Sequence, residues 1–392
     1  MLNRISKDIV NKIKQVTNEK ENKVHHLHEP LIEKKDIKKI RECIDSGFVS
    51  SVGKHCDEFK KKIKIITKSK YVILTSSGSS ALHLILQSLN IQKNCEVLIP
   101  NFNYIASTNS VLLCNAAPHF IDVEEKTLGI DVIKLEKYLK KIATVKNSKC
   151  FNKKTGKEIR ACIALHTYGY SCDIIKIRKL LKEWKIILLE DSAEALGSYF
   201  KKKHLGTFGY AGIFSFNGNK TITTGGGGAL VTSNKKFAKI CSHLSTTAKV
   251  NHKYLFYHDR MGFNYRLPNL NAALGVSQIE KLNNILRSKK VLNQRYKKIF
   301  KKCEYLTIYK DRPNSNSNYW LNIAILNKKF DKQKDKIISY CIKNSINLRP
   351  GWKLMHQQDY LKKYPKMNLK QSIDLYKRLI CLPSSPIYFI KK

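Results

Sequence analysis

Two hydrophobic rhythms alternate along the chain. Short apolar runs recur at Tyr71-Val72-Ile73-Leu74, Glu96-Val97-Leu98-Ile99-Pro100, His119-Phe120-Ile121-Asp122-Val123, Ala161-Cys162-Ile163-Ala164-Leu165, Ile186-Ile187-Leu188-Leu189 and Ile213-Phe214-Ser215-Phe216. They have the length and continuity of strands buried on both faces. Between them lie segments of helical spacing. Ile37, Ile40 and Ile44 space a helix over Glu33 to Asp45 that Ser46-Gly47 can stop, Ala81 to Leu86 carries an apolar helical face, and further helices follow Ser107 and span Ile174 to Trp184. Lys146 to Arg160 is basic and polar and reads as a surface hairpin or loop. Strand and helix alternating this often predict an α/β fold, a large mainly parallel sheet with helices on both faces. Beyond it, a long helix from Leu270 to about Phe300 leads into a smaller α+β domain with strands at Tyr319 to Leu326 and Asn347-Leu348. The resulting division is 1–26 as a polar helical extension, a lid or a partner contact, 27–270 as the large domain, and 271–392 as the connecting helix and small C-terminal domain.

Ligands of parallel sheets bind beyond the C-terminal ends of the strands, and the chemically suggestive residues gather there. Glu190 and Asp191 end one buried strand. Ser76, Ser77, Gly78, Ser79 and Ser80 follow another and open a helix, an arrangement suited to an anion, with an ordinary helix cap as the plain alternative. Between the strands Ile213 to Phe216 and Ala229 to Thr232 runs a polar loop that holds one lysine, Lys220, then Thr223, Thr224 and the glycines Gly225 to Gly228. Those glycines let the backbone turn sharply and pass close to another surface. A lysine amine in such a setting serves as a nucleophile toward a carbonyl substrate or pyridoxal phosphate (PLP). PLP also needs a carboxylate beside its ring nitrogen and a phosphate cradle of backbone N–H groups and small hydroxyls, for which Asp191 and the Gly78–Ser79 turn are candidates. One lysine among 73 Lys and Arg residues is ordinarily a solvated charge, so the inference rests on the set. His166 follows its strand at the same edge, as a ligand contact or as a structural histidine.

The segments L-T-S-S-G-S-S-A-L-H-L, L-I-P-N-F-N-Y-I-A-S-T, L-L-E-D-S-A-E-A-L-G, F-S-F-N-G-N-K-T-I-T-T-G-G-G-G and M-G-F-N-Y-R-L-P-N-L-N-A-A-L-G together resemble the DegT/DnrJ/StrS sugar aminotransferases, over about residues 27 to 388. The resemblance is nearest to members that aminate 4-keto nucleotide sugars on routes to bacillosamine or legionaminic-type sugars; L-H-E-P, G-F-V-S-S-V-G, R-P-G-W-K-L-M-H and L-P-S-S look like marks of that subset. It implies the fold of PLP-dependent transferases of the aspartate aminotransferase type. It implies Lys220 as the cofactor-bearing lysine and proton carrier, Asp191 at the ring nitrogen, Tyr104 stacked on the ring, and Ser215 with Gly78 and Ser79 at the phosphate. Glu194 falls near the ring hydroxyl, where the family commonly has Gln or His, and Gly226 stands where many members have Glu. Asn264 would reach the phosphate in the neighbouring subunit of a homodimer. Glutamate as amino donor and a keto nucleotide sugar as acceptor follow from the same resemblance, with the 3-keto sugar aminotransferases as the alternative. Trp352, Met355 and His356 are candidates for substrate contact.

Composition changes this picture little. The net charge of +43 raises nucleic acid as a partner, but the lysines are dispersed and no basic run is interleaved with aromatics as a stacking platform. Neither specific nucleic-acid binding nor membrane association is expected, since no apolar run reaches 18 residues. The eleven cysteines contain no Cys-x-x-Cys, which removes zinc and thioredoxin-type readings. Without a secretory leader they fit reduced thiols in the cytoplasm. A non-catalytic binding or regulatory protein on the same fold is the alternative from another class, and it has no need for Lys220, Asp191, Ser215 and Asn264 together.

Overall fold

In a computed structural model, residues 2–17 and 24–390 are described. The strands of the large unit are β1 (Tyr71–Thr75), β2 (Cys95–Pro100), β3 (Ala117–Ile121), β4 (Ala143–Lys146), β5 (Lys149–Asn152), β6 (Glu158–Leu165), β7 (Ile187–Asp191), the two-residue β8 (Tyr199–Phe200) and β9 (Lys203–His204), β10 (Ala211–Ser215) and β11 (Gly228–Thr232). Nine of them form one sheet, in the order β1-β11-β10-β7-β6-β2-β3, with the β4–β5 hairpin attached to β6. From β10 to β3 every pair along this order is parallel, and β11 lies antiparallel between β1 and β10. The predicted sheet and the surface hairpin are both present.

Alternate residues of each strand feed opposite faces. Leu98, Cys162, Ala164 and Leu188 meet Ile177 and Leu181 of the helix Ile174–Glu183. Val97, Ile99, Ala161, Ile163 and Leu189 meet Leu82, Ile85 and Leu86 of the helix Gly78–Ser88. Burial on both sides is why these strands read as continuous apolar runs.

Four helices at the N-terminal side are α1 (Leu2–Thr17), α2 (Lys34–Asp45), α3 (Lys54–Thr67) and α4 (Gly78–Ser88). In α2 the isoleucine spacing marks the helix but not its buried face. Ile37 and Ile44 are exposed, while Asp36 and Cys43 are buried, and the Asp36 Oδ2 is paired there with Lys281 at 2.6 Å. The expected single helix from Leu270 is two, Asn269–Glu280 and Leu282–Ile299, separated at Lys281, the residue drawn to Asp36. The second of them enters a unit built on an antiparallel sheet of Leu306–Ile308, Asn322–Leu326, Leu379–Leu382 and Arg349–Pro350. The strand expected at Asn347-Leu348 thus lies two residues later, and that at Tyr319 begins at Asn322. Helix α1 is no lid. Its Ile5, Ile9, Ile13 and Val16 are buried with Leu292 and Tyr296 of Leu282–Ile299 and with Ile337 and Cys341, so its amphipathic rhythm is that of a core helix.

Candidate active site

Register places the strand ends side by side: Leu165 faces Asp191, Asp191 faces Ile213, and Gly228 faces both Thr75 and Ser215. A cavity of about 370 Å³ opens along this edge. One wall is the start of α4. The Ser77 Oγ accepts from the Ser80 N–H at 2.9 Å, and the Thr75 hydroxyl donates to the Ser77 carbonyl at 2.8 Å, which fixes the first turn with Gly78 and Ser79 facing the cavity. Gly228 is required beneath it. A Cβ there would lie 2.4 Å from the Ser77 carbonyl carbon and 2.5 Å from the Gly78 nitrogen, so only glycine lets β11 pass under the turn.

The lysine loop is closed at its neck by the Phe216 N–H donating to the Gly227 carbonyl at 2.8 Å and the Thr224 N–H donating to the Phe216 carbonyl at 2.9 Å. Asn271 Nδ2 donates to the Thr224 carbonyl at 2.8 Å, and Gly225 takes a positive φ of 76° at the turn. Within this loop the Lys220 amine stands 4.0 Å from the centroid of the Trp320 ring and 3.3 Å from Glu194 Oε1. Cation–π attraction and the hydrogen bond to Glu194 both hold it in the cavity.

Asp191 is buried. It accepts from the Ser107 hydroxyl at 2.5 Å and from the Ala193 N–H at 3.1 Å, a pair of donors that keeps a carboxylate in one orientation. Glu194 is buried too, and its Oε2 accepts from the Tyr168 N–H at 2.8 Å. Burial pushes its carboxyl up to about 7, with Asp191 adding to the rise while Lys220 and the Tyr168 N–H oppose it. Tyr168 holds a left-handed conformation, φ 55°, and its ring centroid is 4.4 Å from that of Trp352. Tyr104 is exposed on the opposite rim, its ring centroid 6.3 Å from that of Trp352.

Lys220, Asp191, Gly78, Ser79, Tyr104, Glu194 and Ser215 therefore share one cavity. Asn264 does not line it within this chain; it is exposed and bridges to Thr246. Its neighbour Tyr265 nevertheless accepts from the Ser76 N–H at 2.8 Å, so the segment runs beside the cradle. His166 is a structural histidine, fully buried and 2.9 Å from Glu190 Oε2. Of the late candidates only Trp352 reaches the cavity. Met355 belongs to the apolar core, and His356 Nδ1 pairs with Asn101 Oδ1 at 2.9 Å.

Sequence reasoning passed over Trp320, Asn217 and Asn219, which line the cavity, and Ser107, which orients Asp191. It also passed over Asn318, whose Nδ2 donates to the Glu194 and Leu196 carbonyls at 2.8 and 2.9 Å. Ser107 sits three residues after Tyr104 in a quoted motif, so its proximity to the site could have been read. Trp320 and Asn318 come from the far unit with no local signal.

Among known proteins, the chain is 36% identical over 324 residues to the GDP-perosamine synthase of Vibrio cholerae, covering 83% of each protein. Its fold superposes on the Helicobacter pylori aminotransferase PseC of pseudaminic acid biosynthesis with a TM-score of 0.82 at 25% identity, over 92% of this chain and 94% of that one. A Streptococcus pneumoniae protein assigned as a sugar aminotransferase and solved in its PLP form superposes with a TM-score of 0.82 at 20% identity, over 92% of this chain and 93% of that one. The sequence profile of the DegT/DnrJ/EryC1/StrS aminotransferases matches residues 30–388, a span that holds the cradle, the lysine loop, Asp191 and the small sheet alike. The chain belongs to the DegT/DnrJ/EryC1/StrS aminotransferase family.

Proposed function

We propose that the chain is a PLP-dependent aminotransferase that moves an amino group from an amino acid, L-glutamate, to the 4-keto carbon of a nucleotide-linked 4-keto-6-deoxyhexose in glycan or polysaccharide biosynthesis. The observation that carries this reading is the convergence of one lysine amine, one oriented carboxylate and a glycine-tight helix start on a single cavity. The residues fit the cofactor. The first turn of α4 offers N–H groups to a phosphate, with the Ser79 and Ser215 hydroxyls beside it; Asp191 is set to hold a ring-nitrogen proton; and Tyr104 supplies a flat face.

Bound PLP supplies an electron sink for the negative charge that develops at the amino-bearing carbon. The protein's part is proton handling and exclusion of water. Lys220 Nζ takes the proton from that carbon and returns it as general base and acid. Ser107 holds Asp191 in place, and Trp320 and Trp352 line the cavity. Glu194, which titrates at about 7, accepts or holds a proton beside the amine.

A homodimer with shared sites is part of the proposal. Support comes from apolar side chains left in solvent on this chain: Phe48 is 63% exposed, Val52 64%, Tyr254 76%, Phe256 81% and Met261 74%. Tyr254, Leu255, Phe256 and Tyr257 are consecutive and exposed, a contiguous apolar stretch of the kind that marks an interface, and they lie just before the segment of Asn264.

The test is incubation of PLP-loaded protein with glutamate and a panel of 4-keto and 3-keto nucleotide sugars. The product expected is the 4-amino sugar with one 2-oxoglutarate per amine transferred. Amination of 3-keto sugars alone, or of none, would refute the assignment.

A further inference from the structure

One buried side chain of the small unit reaches both elements that carry the Glu194–Lys220 contact. Asn318 precedes the strand Asn322–Leu326 and is buried. Its Nδ2 donates to the Glu194 and Leu196 carbonyls at 2.8 and 2.9 Å, and to the hydroxyl of Thr221, the residue after Lys220, at 3.1 Å. Its Oδ1 accepts from the Trp320 N–H at 2.9 Å. The Trp320 indole N–H in turn donates at 2.7 Å to the carbonyl of Asn219, the residue before Lys220. The lysine loop is thus gripped on either side of Lys220, and the turn of Glu194 is fastened to the same amide.

The amide is itself held. The Asn318 N–H donates to Ser198 Oγ at 2.9 Å, and that hydroxyl donates to the Gly169 carbonyl at 2.8 Å. Gly169 has a positive φ of 91°, and a Cβ there would collide with Asn318 Oδ1, so the close approach requires glycine. The bonds also require an amide, which is neutral and offers two N–H donors on one atom and an acceptor on the other. A carboxylate in the same place would set negative charge against the Glu194 and Leu196 carbonyl oxygens.

Lysine carries its amine on a flexible four-carbon stem, and a reacting group displaced by roughly 1 Å can cost about a hundredfold in rate. The loop of Lys220 is polar and glycine-rich, so its position has to come from outside it. We propose that Asn318 is a positioning residue for the amine transfer: by tying the Glu194 turn and both flanks of Lys220 to one point on the small unit, it fixes where the Lys220 amine stands. Asn318 does not line the cavity and acts through Lys220. This inference rests on the aminotransferase reading above.

The test begins with cofactor-free protein. 4-Deoxypyridoxine 5′-phosphate, which lacks the aldehyde, reports docking alone, and the rise of visible absorbance at saturating PLP reports capture by Lys220. Asn318→Ala should bind the deoxy analogue within about twofold of wild type and capture PLP roughly tenfold more slowly. In loaded protein the glutamate step should lose roughly tenfold in kcat with KM within about twofold. α-Deuterated glutamate should then show a larger isotope effect than in wild type, because removal of that proton has become the slower step; a smaller folded fraction would leave the isotope effect unchanged. Thr221→Val, of nearly the same shape but without the hydroxyl, releases one grip and should slow capture about threefold. Capture at the wild-type rate in Asn318→Ala, or equal losses in analogue binding and capture, would overturn the assignment. Should Asn318→Ala fail to fold, an unchanged capture rate in Thr221→Val would overturn it instead. Wild-type protein that takes no amine from glutamate would refute the aminotransferase reading, while the capture rates still decide whether Asn318 places Lys220.

Discussion

Replacing Glu194 by glutamine should change how the stability of the cofactor-free protein depends on pH. The Glu194 carboxyl is buried 3.3 Å from the Lys220 amine and titrates at about 7, chiefly because burial penalises its charge. An unfolded glutamate titrates near 4.3, at about pH 4 to 5. Between those values the folded protein holds a proton that the unfolded chain has released, so stability falls as pH rises, and the full loss is present above about pH 7. Integrated from about pH 5 to about pH 8, this amounts to roughly 2.5 kcal/mol. Glutamine carries no such proton. Urea unfolding of both proteins at the two pH values should show the wild type losing about 2.5 kcal/mol more than Glu194→Gln over that range. Parallel pH dependence of wild type and variant would show that Glu194 is charged throughout, and the account of its environment would be wrong.

Asp191→Asn should keep the fold and bind PLP, yet lose at least ten- to a hundredfold in turnover, because a charge-assisted pair in a dry site is worth about 1.5–3 kcal/mol and each ~1.4 kcal/mol is tenfold in rate; steady-state kinetics with unchanged activity would place another acid at the ring. Mixing inactive Lys220→Ala chains with inactive Asn264→Asp chains should restore activity in mixed dimers, since one of the two sites then draws its lysine and its asparagine from unmutated copies. Subunit-exchanged dimers that regain nothing would confine Asn264 to its own chain.

The lysine loop, the Asp191 strand and the α4 cradle were legible in the sequence for a shared physical reason. Each couples a short apolar run, visible as composition, to a polar turn at the strand's C-terminal end, where such a sheet places its ligands. What stayed hidden came from long-range packing. Trp320 covers Lys220 from the small unit, a hundred residues on, and no local pattern announces it. The isoleucines of α2 marked a helix correctly, but Ile37 and Ile44 point outward, because the buried side is carried by Cys43 and by Asp36, which is paired with Lys281 and accepts from the Glu33 N–H. The same ion pair accompanies the break in the helix expected from Leu270 to Phe300. The segment of α1 read as a polar extension, a lid or a partner contact, because the partners of its apolar face, Leu292 and Ile337, lie far away in the sequence and no local pattern announces them.

The most direct test of the central claim is chemical. Borohydride treatment of PLP-loaded protein, followed by peptide mass spectrometry, should fix the cofactor on the peptide that contains Lys220 and remove the visible absorbance in step with labelling. Label on any other lysine of this lysine-rich chain, with Lys220 unmodified, would contradict the assignment of Lys220 as the residue on which the reaction turns.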